Sequence, residues 1–253
     1  MVFPKRKACD PGSNPGGATI LTRTIFLGFN NMTGKIFLAG GGKEHNYSSV
    51  GGIFFKGIKK ILYIPLAWPN DDFQSCLSWF TKVTKKFGKI KIDMLIDSKR
   101  KDDLNRYDGV FIGGGNTFKL LKRLKEGKLD KKLIKYYKEG GKIFGGSAGA
   151  IIFGNNINIS LVCKDKDVNL VGLKNTKGMN ILKNYDIQAH YIDNQIKDHL
   201  SYIVKAKRDV VAIPEGSAIV VKGKQYKVIG KNPVTIITKT KINKYKPGKN
   251  IKF

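Results

Sequence analysis

Three short apolar runs in this chain stop on consecutive glycines. Ile36-Phe37-Leu38-Ala39 ends at Gly40-Gly41-Gly42, the run from Tyr107 to Ile112 ends at Gly113-Gly114-Gly115, and Lys142-Ile143-Phe144 ends at Gly145-Gly146. Runs of this length bounded by glycine read as buried strands closed by tight turns. Helical spacing follows the second and third: Phe118, Leu120, Leu121 and Leu124 recur every three to four residues, and Ala148 to Phe153 begins another helix. Strands that alternate with helices imply an α/β fold in which a mostly parallel sheet is covered on both faces.

Between these units the pattern continues. Ile61 to Pro65 reads as a strand, as do Ile90 to Leu95. Phe73, Leu77, Phe80 and Val83 give the segment Asp71 to Phe87 an apolar stripe suited to a helix laid on a sheet. Ser49 to Lys60 reads as a helix weakened by Gly51, Gly52 and Gly57. A further helix through Leu133 to Tyr137 stops at Gly140-Gly141. Beyond Gly154 the periodicity fades. Ile157 to Val162, Ile181-Leu182 and Val210 to Ile213 are short strand candidates, as are Ala218 to Val221, Gln225 to Ile229 and Val234 to Ile237. The last three read as small antiparallel strands or a hairpin in a mixed sheet or at an edge. Lys239 to Lys252 is either a solvated tail or a terminal strand.

Residues 1–31 differ in texture, with a Gly- and Pro-rich stretch from Lys7 to Gly17, and they do not have the layout of a secretory signal. The expected organisation is an upstream or vector-derived extension over 1–31, a natural start at Met32, and one catalytic α/β domain over 32–253. The alternative is a genuine N-terminal arm that packs on the domain.

Composition narrows the function classes. No apolar stretch is long enough to span a bilayer. The formal net charge of +28 comes from 47 Lys plus Arg against 19 Asp plus Glu, a field that attracts polyanions and acidic small molecules. Only Arg6, Arg23, Arg100, Arg106, Arg123 and Arg208 are Arg, and the Lys is dispersed without an interleaved aromatic stripe, so nucleic acid is a disfavoured partner. Cys9, Cys76 and Cys163 are odd in number and widely spaced, which fits a reducing, cytoplasmic setting. No His, Cys or carboxylate spacing suggests a metal, and no cofactor is expected. GGGNT lacks both the GxGxxG spacing of a dinucleotide site and the Lys-Ser/Thr of a P-loop.

The strongest candidate for chemistry is Ser147 in Gly145-Gly146-Ser147-Ala148-Gly149, a Gly-x-Ser-x-Gly turn between strand and helix. Such a turn can present a nucleophile, and the N–H of Ala148 is a natural oxyanion donor. A Gly-rich turn that happens to carry Ser is the alternative. The loop Gly113 to Thr117 would bring further backbone donors to a substrate carbonyl or carboxylate. A Ser nucleophile needs a base. Position favours His190 over His45, while His199, in a polar run, reads as solvent-exposed. For the acid that orients the imidazole, Glu215 in Ile213-Pro214-Glu215-Gly216 competes with Asp186 and Asp193.

Taken together, Phe111 to Leu120, Gly145 to Ala150, Gln188-Ala189-His190-Tyr191 and Ile213 to Ala218 resemble the dipeptidase E and cyanophycinase family of serine peptidases, family S51. GGGNT is more similar to the dipeptidase E branch. The resemblance implies a three-layer, flavodoxin-like or class I glutamine amidotransferase-like sandwich with a triad of Ser147, His190 and Glu215. It implies Gly114 and Ala148 as oxyanion donors, with Gly113, Gly115, Asn116 and Thr117 in the substrate-binding loop. The order Ser, His, acid differs from the Ser, acid, His order of α/β-hydrolases. The implied activity is acyl transfer from short peptides, with dipeptides carrying N-terminal Asp among the substrates. A non-peptide amidase or esterase and a non-catalytic polyanion-binding module are the alternatives, and a homo-oligomer is compatible with all three.

Overall fold

Five parallel strands and an antiparallel hairpin make the central sheet of the computed structural model, which describes residues 34–162 and 166–253. The parallel strands are β1 (Lys35–Ala39), β2 (Lys60–Ile64), β3 (Lys91–Met94), β4 (Gly109–Ile112) and β5 (Lys142–Gly146). Helices α1 (Tyr47–Phe54), α2 (Phe73–Thr84), α3 (Thr117–Glu126) and α4 (Leu129–Lys138) connect them, and α5 (Ala148–Ile151) follows β5. Chain order then gives β6 (Asp186–Gln188), α6 (Ile196–Ala206), β7 (Val210–Ala212), β8 (Ser217–Lys222), β9 (Gln225–Gly230), β10 (Val234–Ile237) and β11 (Ile242–Tyr245). In space the large sheet runs β3-β2-β4-β5-β1-β8-β9, parallel as far as β1 and antiparallel beyond it. The expected three-layer α/β architecture is therefore present. The N-terminal extension expected over residues 1–31 lies outside the described residues.

Strand alternation splits the core into two chemically different layers. Ile36, Leu38, Leu62, Ile64, Val110, Ile112 and Ile143 face one side, where they meet the leucines of α3 and α4. Phe37, Ile61, Tyr63, Phe111 and Phe144 face the other, against Val50 and Phe54 of α1 and Phe80 and Val83 of α2. Phe111 is central to that aromatic layer, stacked on Phe144 at 4.7 Å and tilted against Phe80 at 4.6 Å between centroids. Phe111→Ala is expected to cost about 3–5 kcal/mol, read as a lowered midpoint in urea denaturation.

The second half departs from the expectation of a single sheet. β8 and β9 extend the large sheet, but β10 joins a separate four-stranded sheet, β11-β10-β7-β6. Gly230, with φ 111°, turns the chain away after β9. Ile157 to Val162 is not a strand: Ile157–Leu161 is a 3-10 turn, because Asn156 Oδ1 accepts the Asn158 N–H and the Ser160 hydroxyl donates to Ile157 O. Ile181-Leu182 falls in a turn, held where Asn180 Oδ1 accepts the Asn184 N–H at 2.7 Å. The helix expected over Ser49 to Lys60 ends at Phe54, and Gly57 with φ 80° directs the chain into β2. The Lys-rich end contains the terminal strand β11, and Ile251 beyond it is buried, its N–H bonded to Tyr226 O. Among the described residues no helix is long and apolar enough to cross a membrane.

Candidate active site

Parallel strands end together, so the turns after β1, β4 and β5 meet at one edge of the sheet, where α/β folds commonly place ligands. Ser147 sits between β5 and α5 with φ 55° and ψ −119°, a conformation that L side chains rarely adopt. The turn closes around it only because its flanks lack side chains. A Cβ on Gly145 would lie 2.2 Å from Gly149 O, and one on Gly149 would lie 2.4 Å from Ile112 O. The N–H of Ser147 donates to Ala39 O at the end of β1.

The structure brings Ser147, His190 and Glu215 into one line. Ser147 Oγ lies 2.7 Å from His190 Nε2, and His190 Nδ1 lies 2.7 Å from Glu215 Oε1. With Nδ1–H donating to the carboxylate, Nε2 is left to accept the Ser147 hydroxyl. His190 also has a positive φ, 52°, and its N–H donates to Gly40 O. Glu215 and His190 remain partly open to solvent, at 45% and 41% side-chain exposure, so a substrate can reach them. Beneath them Tyr47 is buried, and a Cβ on Gly146 would come within 2.9 Å of its hydroxyl. Burial, and then the negative charge of Glu215, push the Tyr47 hydroxyl well above its ordinary range.

The competing candidates lie elsewhere. Asp186 is fully buried and bound by Arg208 Nε at 2.8 Å and by the Tyr202 hydroxyl at 2.6 Å. Asp193 pairs with Lys244 at 2.6 Å. Exposed His45 occupies the turn Glu44–Asn46. His199 is buried rather than solvent-exposed. Placed one turn after Gln195, its Nδ1 donates to Gln195 O at 2.6 Å, and its ring meets Tyr191 edge-on. Burial lowers its pKa, against the pull of the Gln195 carbonyl. Lys197 and Asp198 on the open face of α6 made the segment look polar throughout.

The β4–α3 loop packs directly on the serine. A Cβ on Gly114 would lie 3.0 Å from Ser147 Cβ and 3.4 Å from Oγ, so glycine lets this backbone approach without displacing the serine. Gly113 is held by its N–H on Ile64 O, and a Cβ on it would lie 3.0 Å from the Tyr63 hydroxyl. Gly115, Asn116 and Thr117 line a cavity of about 620 Å³ together with Ser147, His190 and Glu215. The Asn116 amide is committed on both sides: Oδ1 caps α3 at Lys119 N, and Nδ2 donates to Val168 O. Thr117 is buried, and its N–H donates to Asp167 Oδ2 at 2.9 Å. Ala148 opens α5, so its N–H has no acceptor within the helix.

Two site residues escaped the sequence reading. Asp167 lines the cavity, and burial raises its pKa against the opposing pull of Thr117 and His190. Nothing in its local sequence marks it, since it reaches the site only through the long connection after α5. Gly41, with φ 85°, lies so close that a Cβ there would be 2.7 Å from His190 Cε1 and 3.0 Å from Ser147 Cβ. The glycine triplet after β1 was its signal.

Outside the cavity lining, Asp71 accepts hydrogen bonds from both Arg123 guanidinium nitrogens at 2.7 Å and pairs with Lys119 Nζ at 2.8 Å. The Arg123 hydrogen bonds, followed by those of Lys119, hold the carboxyl far below its ordinary 3.8. A depressed carboxylate contributes stability that is present above the unfolded pKa and lost as pH falls through the folded one. Asp71→Asn should therefore be less stable than the parent near neutral pH. The two proteins should converge as the solution is acidified below about pH 4, in thermal melts run across pH.

Comparison with known proteins gives a consistent result. Residues 36–229 match Peptidase family S51. Similar curated proteins include Peptidase E of Actinobacillus pleuropneumoniae serotype 5b (strain L20), 26% identical over 189 residues that cover 70% of this chain and 76% of that one. Peptidase E of Haemophilus influenzae (strain PittGG) is 27% identical over 186 residues, covering 70% and 77%. Among solved structures, a peptidase from an acI-B1 actinobacterium has a TM-score of 0.63 at 19% identity, covering 87% of this chain and 97% of that one. At that identity the likeness speaks to the fold.

Proposed function

The chain belongs to peptidase family S51 and is a peptidase-type hydrolase, and on that premise we propose that it hydrolyses short peptides through an acyl-enzyme on Ser147. The observation that carries this reading is the continuous relay from Ser147 Oγ through His190 to Glu215, each step 2.7 Å. His190 Nε2 takes the hydroxyl proton as Oγ attacks the carbonyl carbon, and the imidazolium then protonates the leaving amine. Water, activated by the same nitrogen, releases the acid. Glu215 fixes the ring and balances its transient charge. The N–H groups of Gly114 and Ala148 donate to the oxyanion, a reading supported by the close approach of the loop to Ser147.

Family membership sets aside the non-catalytic alternative. In this reading residues 32–253 form the catalytic domain, and the protein works in the cytoplasm. Dipeptides with N-terminal Asp, which the sequence resemblance implies, are the reference substrates, and a panel of amides and esters separates a peptidase from an amidase or esterase. The direct test is a fluorophosphonate probe on the folded protein. Stoichiometric labelling at Ser147 is expected. An unlabelled protein that still cleaves dipeptides after Ser147→Ala would overturn the proposal.

A further inference from the structure

Glu215 holds its place with little help from side-chain packing. Its side chain is 45% exposed, and its carboxylate takes its hydrogen bond from His190. The aim of the carboxylate is therefore set by the backbone that carries it, Pro214-Glu215-Gly216, which crosses from β7 of the small sheet to β8 of the large one. The Ser217 N–H donates to Pro214 O at 3.3 Å and closes this crossing as a four-residue turn with Glu215 at its corner. Gly216 supplies the positive φ, 72°, that the third position of such a turn requires. Residues 231–233 make the return crossing, from β9 of the large sheet to β10 of the small one.

The two crossings are stitched together at Ser217. Its hydroxyl donates to Asn232 O at 2.9 Å and accepts the Asn232 N–H at 2.8 Å. Beside it the Lys231 N–H donates to Gly216 O at 3.1 Å, and the Asn232 amide donates to Glu215 O at 3.4 Å. Ser217 is fully buried at the head of the apolar run Ala218-Ile219-Val220-Val221. A hydroxyl there costs stability unless it is bonded, and this one spends both bonds on the main chain of the return crossing. The carbonyl of the same residue accepts the Gly40 N–H, and Gly40 O accepts the His190 N–H, so the clamp is built on the strand frame that also holds the base. We infer that Ser217 is a positioning residue for Glu215: its hydroxyl locks the two crossings together, and that lock fixes the turn from which Glu215 reaches His190 Nδ1. The inference rests on the acyl-transfer reading above, in which the Glu215–His190 pair activates Ser147.

The test follows the rate of fluorophosphonate labelling at Ser147 in the whole protein and, with a dipeptide that the parent cleaves, kcat and KM. Ser217→Ala removes the hydroxyl. Ser217→Cys keeps the shape of serine with only a weak donor and acceptor, and it stands in should the alanine variant misfold. Both leave the main-chain bonds of residue 217 in place. Each is made in the parent and in Glu215→Ala, with rates expressed per folded molecule from urea denaturation. In the parent, labelling and kcat should fall by about 10- to 100-fold with KM little changed, the scale of a displacement of up to about 1 Å in the relay. In Glu215→Ala the same substitutions should change labelling by less than about twofold, because the acid they position is already gone. An equal loss in both backgrounds would make Ser217 a support of the fold at large and overturn the inference, as would parent-like rates in the Ser217 variants. In either case labelling of the parent at Ser147 leaves the acyl-transfer reading standing. A parent that never labels there would instead overturn that reading, and this inference with it.

Discussion

Ser147→Ala and His190→Ala are each expected to lower kcat for peptide hydrolysis by about 10⁴- to 10⁶-fold, and the double variant by little more than the worse single one. The relay acts as a unit, so once its proton acceptor or its attacking oxygen is gone the other member has nothing left to do. The residual rate expected is that of the N–H groups of Gly114 and Ala148, the donors proposed for the oxyanion, which neither substitution removes. Ser147→Gly should lose activity to the same degree yet melt at a higher temperature than Ser147→Ala. The backbone at position 147, φ 55° and ψ −119°, is strained for any residue with a Cβ, and relief of such strain amounts to about 1–3 kcal/mol. Steady-state kinetics of the three single variants and the double, with melts of each, check both statements. Additive losses in the double variant would mean that serine and histidine act separately.

The second large effect is expected at a residue with no functional group. In Gly41→Ala the new methyl carbon would stand 2.7 Å from His190 Cε1 and 2.8 Å from Nε2. Approaches that short are not tolerated, so the imidazole must swing away from Ser147. A displacement of about 1 Å at the reacting atoms costs about 100-fold in rate, and φ 85° adds strain for alanine. The expected signature is a fall in kcat of about 100-fold or more with a modest loss of stability. Labelling of Ser147 by fluorophosphonate should slow in parallel, since the hydroxyl loses its base. A variant as active as the parent would show that the ring is free to move without consequence.

The first half of the fold was legible because its signals are strong and local. Four apolar runs each end at a turn, and the strands they form, β1, β2, β4 and β5, are buried on both faces, so hardly any polar residue interrupts them. The second half is built differently. β6 and β7 have three residues each, too few to show alternation; they pair with each other across α6, and β7 takes β10 as its other neighbour. Asn156, Ser160 and Asn180 bend their own backbones by side-chain hydrogen bonds, and that converts apolar segments that resembled strands into turns. At the site, Ser147, His190 and Glu215 stood out because glycine or proline brackets them or a motif frames them. Asp167 did not, because its role comes from the Thr117 N–H and the cavity wall, both distant in sequence. His199 misled for the opposite reason, its neighbours being polar while its own ring is enclosed.

Two backbone bonds of the site bear on how such an enzyme can change. Ser147 N–H is held by Ala39 O and His190 N–H by Gly40 O, so consecutive carbonyls of one short segment gauge the gap between the attacking oxygen and its base. The long connection from Gly154 to Tyr185 takes no part in that measurement, although it delivers Asp167 to the cavity. The spacing of the relay is thereby set by the end of β1, on a piece of chain separate from the connection that carries Asp167 into the cavity lining.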